Sequence, residues 1–136
     1  MKKRKSRSKL TKELDAIFSQ RIRHKYCING LVVCYTCWVK KLIKEMQNWH
    51  FITRTCMLLR RDPNNCRPQC VWCNVYKSGN YIEYTRRMIE EVWIEEVDRL
   101  RDLKTTIKKR TLDEIEEMIE YYKSDLINYQ TWSLRL

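Results

Sequence analysis

The chain has little of what interrupts secondary structure. Its 136 residues include two glycines and two prolines, and all four (Gly30, Pro63, Pro68, Gly79) fall between positions 30 and 79. Turns are therefore concentrated in the middle, and the flanks are free to run as long helices. Acidic residues are also short, 17 against 28 Lys and Arg, for a formal charge of +11. That excess suits a polyanion, nucleic acid above all, which a basic surface attracts through counterion release. Anionic membrane is the weaker alternative. Long apolar runs are missing too: the longest, Gly30 to Cys34, falls far short of the ~20 residues of a spanning helix. No apolar signal core follows the basic N-terminus, so a cytoplasmic chain with no membrane partner is expected. Seven cysteines, an odd number, argue against a disulfide framework in such a compartment.

What is present is enough for a core, since 43% of the residues are apolar. The length suits one compact domain with a helical appendage. Four of the cysteines form two Cys-x-x-Cys knuckles, Cys34/Cys37 and Cys70/Cys73, with 32 residues between them. Two such knuckles point to a tetrahedral Zn2+ held by four thiolates, a structural site. With the ion and four thiolates the charge falls to about +9 at pH 7. A redox dithiol is disfavoured, because the knuckles are two and lack βαβ surroundings. Cys27, Cys56 and Cys66 are left as small buried apolar residues. The gap exceeds the usual ribbon spacing, so the inserted segment must fold on its own, with the metal contributing to its stability.

Residues 1–9 read as a basic flexible tail suited to lie along phosphates. Leu10, Leu14, Ile17, Phe18 and Ile22 then recur at helical spacing, with Ser8 or Thr11 available as caps and Lys12, Arg21 and Arg23 on the opposite face. Asn29-Gly30 marks a turn, and Leu31-Val32-Val33 a short strand. Tyr84 to Ile107 reads as a long amphipathic helix ended by Lys108-Lys109-Arg110. Thr111 and Glu114 have capping-box spacing, and Leu112, Ile115, Ile119, Tyr122, Leu126 and Tyr129 form a heptad-like seam. The seam is expected to fold back on the preceding helix as a hairpin, with a homodimer contact as the other use. The expected fold is mainly α with a small β-hairpin: a zinc-stapled core at 10–90 and a helical extension at 91–136.

The inserted residues carry the chemistry. Trp49-His50-Phe51 lies in the spacer, Asn65 five residues before Cys70, and Asn74 directly after Cys73. This order resembles the HNH nucleases, whose ββα-metal fold sets a catalytic histidine between zinc knuckles. The Cys-x-x-Cys-Asn arrangement is similar to phage endonuclease VII. The segments Leu14 to Arg23, Val33 to Cys37, Trp49 to Arg54, Leu59-Arg60, Asn64-Asn65, Gln69 to Asn74 and Lys77 to Tyr84 together resemble the phage recombination NinG family, also called Rap.

The resemblance implies a metal-dependent endonuclease cutting branched, Holliday-junction-like, or single-stranded DNA during phage recombination. In that reading His50 activates water, Asn65 orients the ring, Asn74 offers a carbonyl oxygen to Mg2+ or Mn2+, and Arg54 clamps a phosphate. The endonuclease VII pattern has an aspartate where Trp49 stands, so the second metal ligand falls to Glu83 or Asp62. Arg60, Arg61, Arg67, Lys77, Arg86, Arg87, Lys40, Lys41 and Lys44 are candidate backbone contacts, and Trp38, Trp72, Tyr76 and Tyr81 candidate stacking platforms for unpaired bases. The rival reading is a non-catalytic, zinc-dependent nucleic-acid-binding module, and a second rival is an RNA-directed nuclease.

Overall fold

A computed structural model describes residues 2–133. Three long helices, α1 (Arg7–Lys25), α2 (Tyr81–Asp102) and α3 (Leu112–Ser133), enclose two small antiparallel sheets. One sheet orders β1 (Cys27–Ile28), β2 (Leu31–Val33) and β3 (Lys40–Leu42); the other pairs β4 (Met46–His50) with β5 (Cys66–Cys70). The architecture is thus mixed, with more strand than a single hairpin. No helix among the described residues is long and apolar enough to cross a membrane.

Asn29 and Gly30 both take positive φ, 53° and 78°, as a two-residue hairpin turn between β1 and β2 requires. In the second sheet Met46 pairs with Cys70 and His50 with Cys66, so the strand that ends in the histidine runs beside the strand that ends in a knuckle. Gly79, at φ 87°, closes the turn behind that knuckle by donating its N–H to the Cys73 carbonyl at 2.8 Å. A Cβ there would overlap the Trp49 indole. Left-handed strain and overpacking together should make Gly79→Ala cost about 2–5 kcal/mol. The check is a lower denaturant midpoint at an unchanged slope.

α1 starts earlier than Leu10: Ser6 caps it, accepting from the Lys9 N–H at 3.3 Å. The basic stretch before it is engaged, not free. Arg4 pairs with Asp113 and Glu116 of α3, and Lys5 with Glu13 at 2.8 Å. The α3 seam finds a different partner from the one expected. Ile115, Ile119 and Tyr122 pack on Leu10, Leu14, Phe18 and Ile22 of α1, together with Cys66. The two ends of the chain thereby form one core, and the seam offered for a dimer is buried within a single chain. Thr111 and Glu114 do form the capping box, through bonds of 3.1 and 2.7 Å.

α2 is shorter than the pattern suggested. It ends at Asp102, leaving Ile107 98% exposed, and it is broken at Trp93, whose φ of 72° is not helical. Its buried residues Tyr84, Met88, Val97 and Leu100 cover the inserted loop through Phe51, Ile52, Cys56 and Leu59. The boundary drawn at residue 90 falls inside this helix. Met1 and residues 134–136, the outermost parts of the two assigned flanking segments, lie outside the described residues.

Candidate zinc staple and histidine cleft

The first knuckle turns directly off β2. The Cys34 N–H donates to the Val39 carbonyl at 2.8 Å, the Trp38 N–H returns to Cys34 at 3.1 Å, and the Tyr35 N–H ties the turn to the Pro68 carbonyl of β5 at 3.0 Å. Cys70 ends β5, and Cys73 lies in the π-helical turn Trp72–Tyr76. The four sulfurs lie within 4.8 Å of one another, with Cys37 and Cys70 at 3.7 Å. Tetrahedral zinc with bonds of about 2.3 Å requires sulfurs about 3.8 Å apart, so the donor set and spacing suit that ion.

Gln69, fully buried, links the frame by donating to the Thr36 hydroxyl at 3.0 Å and the Gly79 carbonyl at 2.7 Å. Burial raises the Cys34 thiol, but N–H donors of Cys70, Cys37 and Thr36 outweigh it and bring Cys34 down to about 6. Cys27, Cys56 and Cys66 are buried and free.

His50 ends β4, and its Nε2 lies 2.9 Å from the Arg60 carbonyl. A carbonyl only accepts, so Nε2 carries the proton and Nδ1 keeps its lone pair. Burial foremost lowers the His50 pKa; Arg54 and Arg60 push it the same way, against the Arg60 carbonyl bond and Asp15. The ring is therefore neutral at pH 7. A cleft of about 420 Å3 opens beside it, bringing together His50, Arg54 and Asn74. Asn74 donates its Nδ2 to Gln47, which leaves its Oδ1 uncommitted.

The other expected members stand elsewhere. Asn65 is fully buried and holds the loop, not the ring: its Oδ1 accepts from the Ile52 N–H at 2.7 Å, and its Nδ2 donates to the Ile52 and Leu59 carbonyls. The orienting group for His50 is the Arg60 carbonyl, a backbone atom that no side-chain motif reveals. Glu83 pairs with Arg86 at 2.8 Å, which holds its carboxyl below the ordinary range, and it does not line the cleft. Asp62 caps the turn before β5 and pairs with Arg99 at 2.8 Å. Trp49 packs against Tyr84, ring centroids 4.3 Å apart, as part of the core.

Sequence reasoning missed two cleft residues. Asn48 lines the same cleft, and alternation along β4 puts it on the face of His50, a signal that was available. Asp15 lines the smaller recess on the α1 side of His50 and binds Arg60 at 2.6 Å and Arg61 at 2.8 Å. Nothing in the α1 pattern distinguishes it.

Several basic residues expected to meet DNA are used by the fold. Arg67 is buried and pairs with Glu91 at 3.1 Å, Arg86 bridges Glu83 and Glu90, and Arg87 lies over the Trp38 ring at 3.8 Å. Lys40, Lys41, Lys44 and Lys77 are exposed, as are Trp38, Trp72 and Tyr76; Tyr81 stacks on Phe51.

Among known proteins, protein ninG of Salmonella phage P22 is 45% identical over 42 residues, a match covering 31% of this chain and 21% of that protein. The chain thus matches about a fifth of that relative's length. No solved structure matches the chain. The family model described as the bacteriophage lambda NinG protein matches residues 1–131. With nearly its whole length matched, the chain belongs to the bacteriophage lambda NinG family.

Proposed function

We propose that the protein is a metal-dependent endonuclease of the HNH type that cuts branched or single-stranded DNA in phage recombination. The observation that carries this reading is the state of His50. Its Nε2 proton is committed to the Arg60 carbonyl, its Nδ1 lone pair is uncommitted, and the ring lines a cleft shared with Arg54 and Asn74. A neutral imidazole so held takes a proton from water near pH 7. Arg54, exposed at the cleft rim, offers a charged fork to a phosphate oxygen. The order β4, β5, Cys-x-x-Cys turn and α2 supports a ββα-metal core, because it brings the histidine strand alongside the knuckle strand. The basic chain and the exposed Trp38, Trp72 and Tyr76 suit unpaired bases beside a phosphate backbone.

A catalytic Mg2+ or Mn2+ would be held by the Asn74 Oδ1 together with substrate phosphate oxygens, and would supply charge stabilisation at the leaving alkoxide. The cleft's protein donors are amide oxygens, since Asp15 is taken up by two arginines and Glu83 and Asp62 stand away from it. That same lack of a free carboxylate favours a second reading, a zinc-stapled module that binds nucleic acid without cutting it. The two separate on one panel: purified protein with Mg2+ or Mn2+ against branched DNA, single-stranded DNA and RNA. Binding without cleavage under either metal would establish the second reading, and preferential RNA cleavage would move the substrate.

The lowered His50 pKa sets the pH dependence. kcat/KM should hold level from pH 8 to about 6.5, the ordinary histidine value, and fall only below it, as the base is protonated. Stability follows the same sign. A histidine that resists protonation when folded costs nothing above about 6.5, and stability is lost as pH falls through and below that value. An activity limb centred well above pH 7 would assign the base to another group.

A further inference from the structure

Lys108, Lys109 and Arg110 do not end a helix. They lie in the connection between α2 and α3, where with Arg7 and Arg61 they line a second cavity of about 230 Å3. None of the residues lining it is acidic. The volume equals several waters at about 30 Å3 each, enough for a hydrated phosphate group.

Charge inside this cavity is under-compensated. Arg61, its side chain 3% exposed, shares the single carboxylate of Asp15 with Arg60, so two guanidinium groups rest on one acid. Burial lowers the Arg61 pKa, and Arg60 and Arg110 add to that effect while Asp15 alone opposes it. The Nε of Arg110 is buried and has no hydrogen-bond partner. Arg7 donates one N–H to the Arg110 carbonyl at 2.8 Å, which draws the start of α1 onto the connection. The acids nearest in sequence are spent, Asp113 on Arg4 and Glu114 on the Thr111 cap. A buried donor without an acceptor is costly and rare, and a cationic cavity with one is completed by an oxyanion. Guanidinium forks suit the oxygens of a phosphate group in particular.

Position relates this cavity to the cleft. Arg60 lines the recess beside His50 and Arg61 lines the cationic cavity, and the two consecutive residues are joined on Asp15. We propose that the Arg7, Arg61, Lys108, Lys109 and Arg110 cavity is a phosphate-binding subsite that holds a second backbone phosphate of the nucleic-acid strand lying at His50. The assignment of the phosphate to a strand rests on the nucleic-acid reading above. The cavity itself rests on its own charge and its unpaired donor.

The test compares wild type with Lys108→Gln/Lys109→Gln/Arg110→Gln, and with the charge-matched Lys40→Gln/Lys41→Gln/Lys44→Gln. Circular dichroism melts confirm that each is folded. One arm titrates a labelled single-stranded oligonucleotide across a salt series; the other measures the melting shift caused by millimolar inorganic phosphate. The cavity variant should lose the phosphate shift, and its slope of log K against log salt should be shallower by about 2, near 0.7 per cation removed. The control should keep the phosphate shift. An unchanged slope with an unchanged phosphate shift overturns the subsite. A lost phosphate shift with unchanged oligonucleotide binding overturns the strand assignment and makes the cavity a free-anion site. If wild type binds no oligonucleotide, the nucleic-acid reading fails, and the phosphate arm alone decides whether the cavity binds the anion.

Discussion

Replacing His50 with alanine should lower DNA cleavage by about 100- to 10,000-fold, the usual loss when a positioned general base is removed. Affinity for the same DNA should stay close to wild type, because the imidazole is neutral and carries no phosphate-binding charge. Single-turnover cleavage and a parallel binding titration separate the two effects. Truncation also removes the donor that satisfies the Arg60 carbonyl, so a melt belongs beside the kinetics. Loss of that one bond is worth about 0.5–1.5 kcal/mol, too little to unfold the chain and far too little to mimic the kinetic loss. Wild-type rates from the His50→Ala protein would place the base elsewhere and remove the observation on which the nuclease proposal stands.

Cys70→Ser should have the largest effect on stability. Zinc held by four thiolates contributes about 10–16 kcal/mol of apparent binding free energy, as much as or more than the whole stability of a domain this size. Cys70 ends β5, and its neighbour Gln69 links the Thr36 hydroxyl to the Gly79 carbonyl. Loss of the ion would release both knuckles and the strand that runs beside His50. The variant should therefore show no cooperative melt near that of wild type, and chelation of the wild-type protein should reproduce its behaviour. Metal analysis should give about one zinc per chain. A Cys70→Ser protein with a normal melting curve would show that the fold stands without the staple.

The features legible in the sequence were local ones. The two knuckles, the Asn29-Gly30 turn, the capping box at Thr111 and the helical runs of α1 and α3 each depend on residues a few positions apart, where spacing alone determines geometry. His50, Arg54 and Asn74 were also legible, and the structure brings them to one cleft. The misread features were those that depend on which distant element fills a space. The seam of α3 has an apolar face for any partner of the right shape; that α1 takes it, and not α2, follows from the strand pair lying between them in the chain path. Asn65 offers the same amide to a ring or to a loop. Its complete burial beneath the 51–59 segment spends it on the backbone of Ile52 and Leu59.

By itself, then, the sequence determined a four-cysteine staple, a strongly basic chain, long flanking helices and a histidine enclosed between the knuckles. Only the tertiary structure decided which charges remain for a ligand. Arg60, Arg61, Arg67 and Arg86 all read as surface cations, yet each is paired with an acid. It also decided that Lys108, Lys109 and Arg110, which read as a helix end, gather around a cavity with Arg7 and Arg61. The physical reason is that charge is fixed by residue type, whereas its compensation depends on burial and on partners as many as 109 positions away, as between Arg4 and Asp113. Residue order carries the first quantity and only the packed chain carries the second.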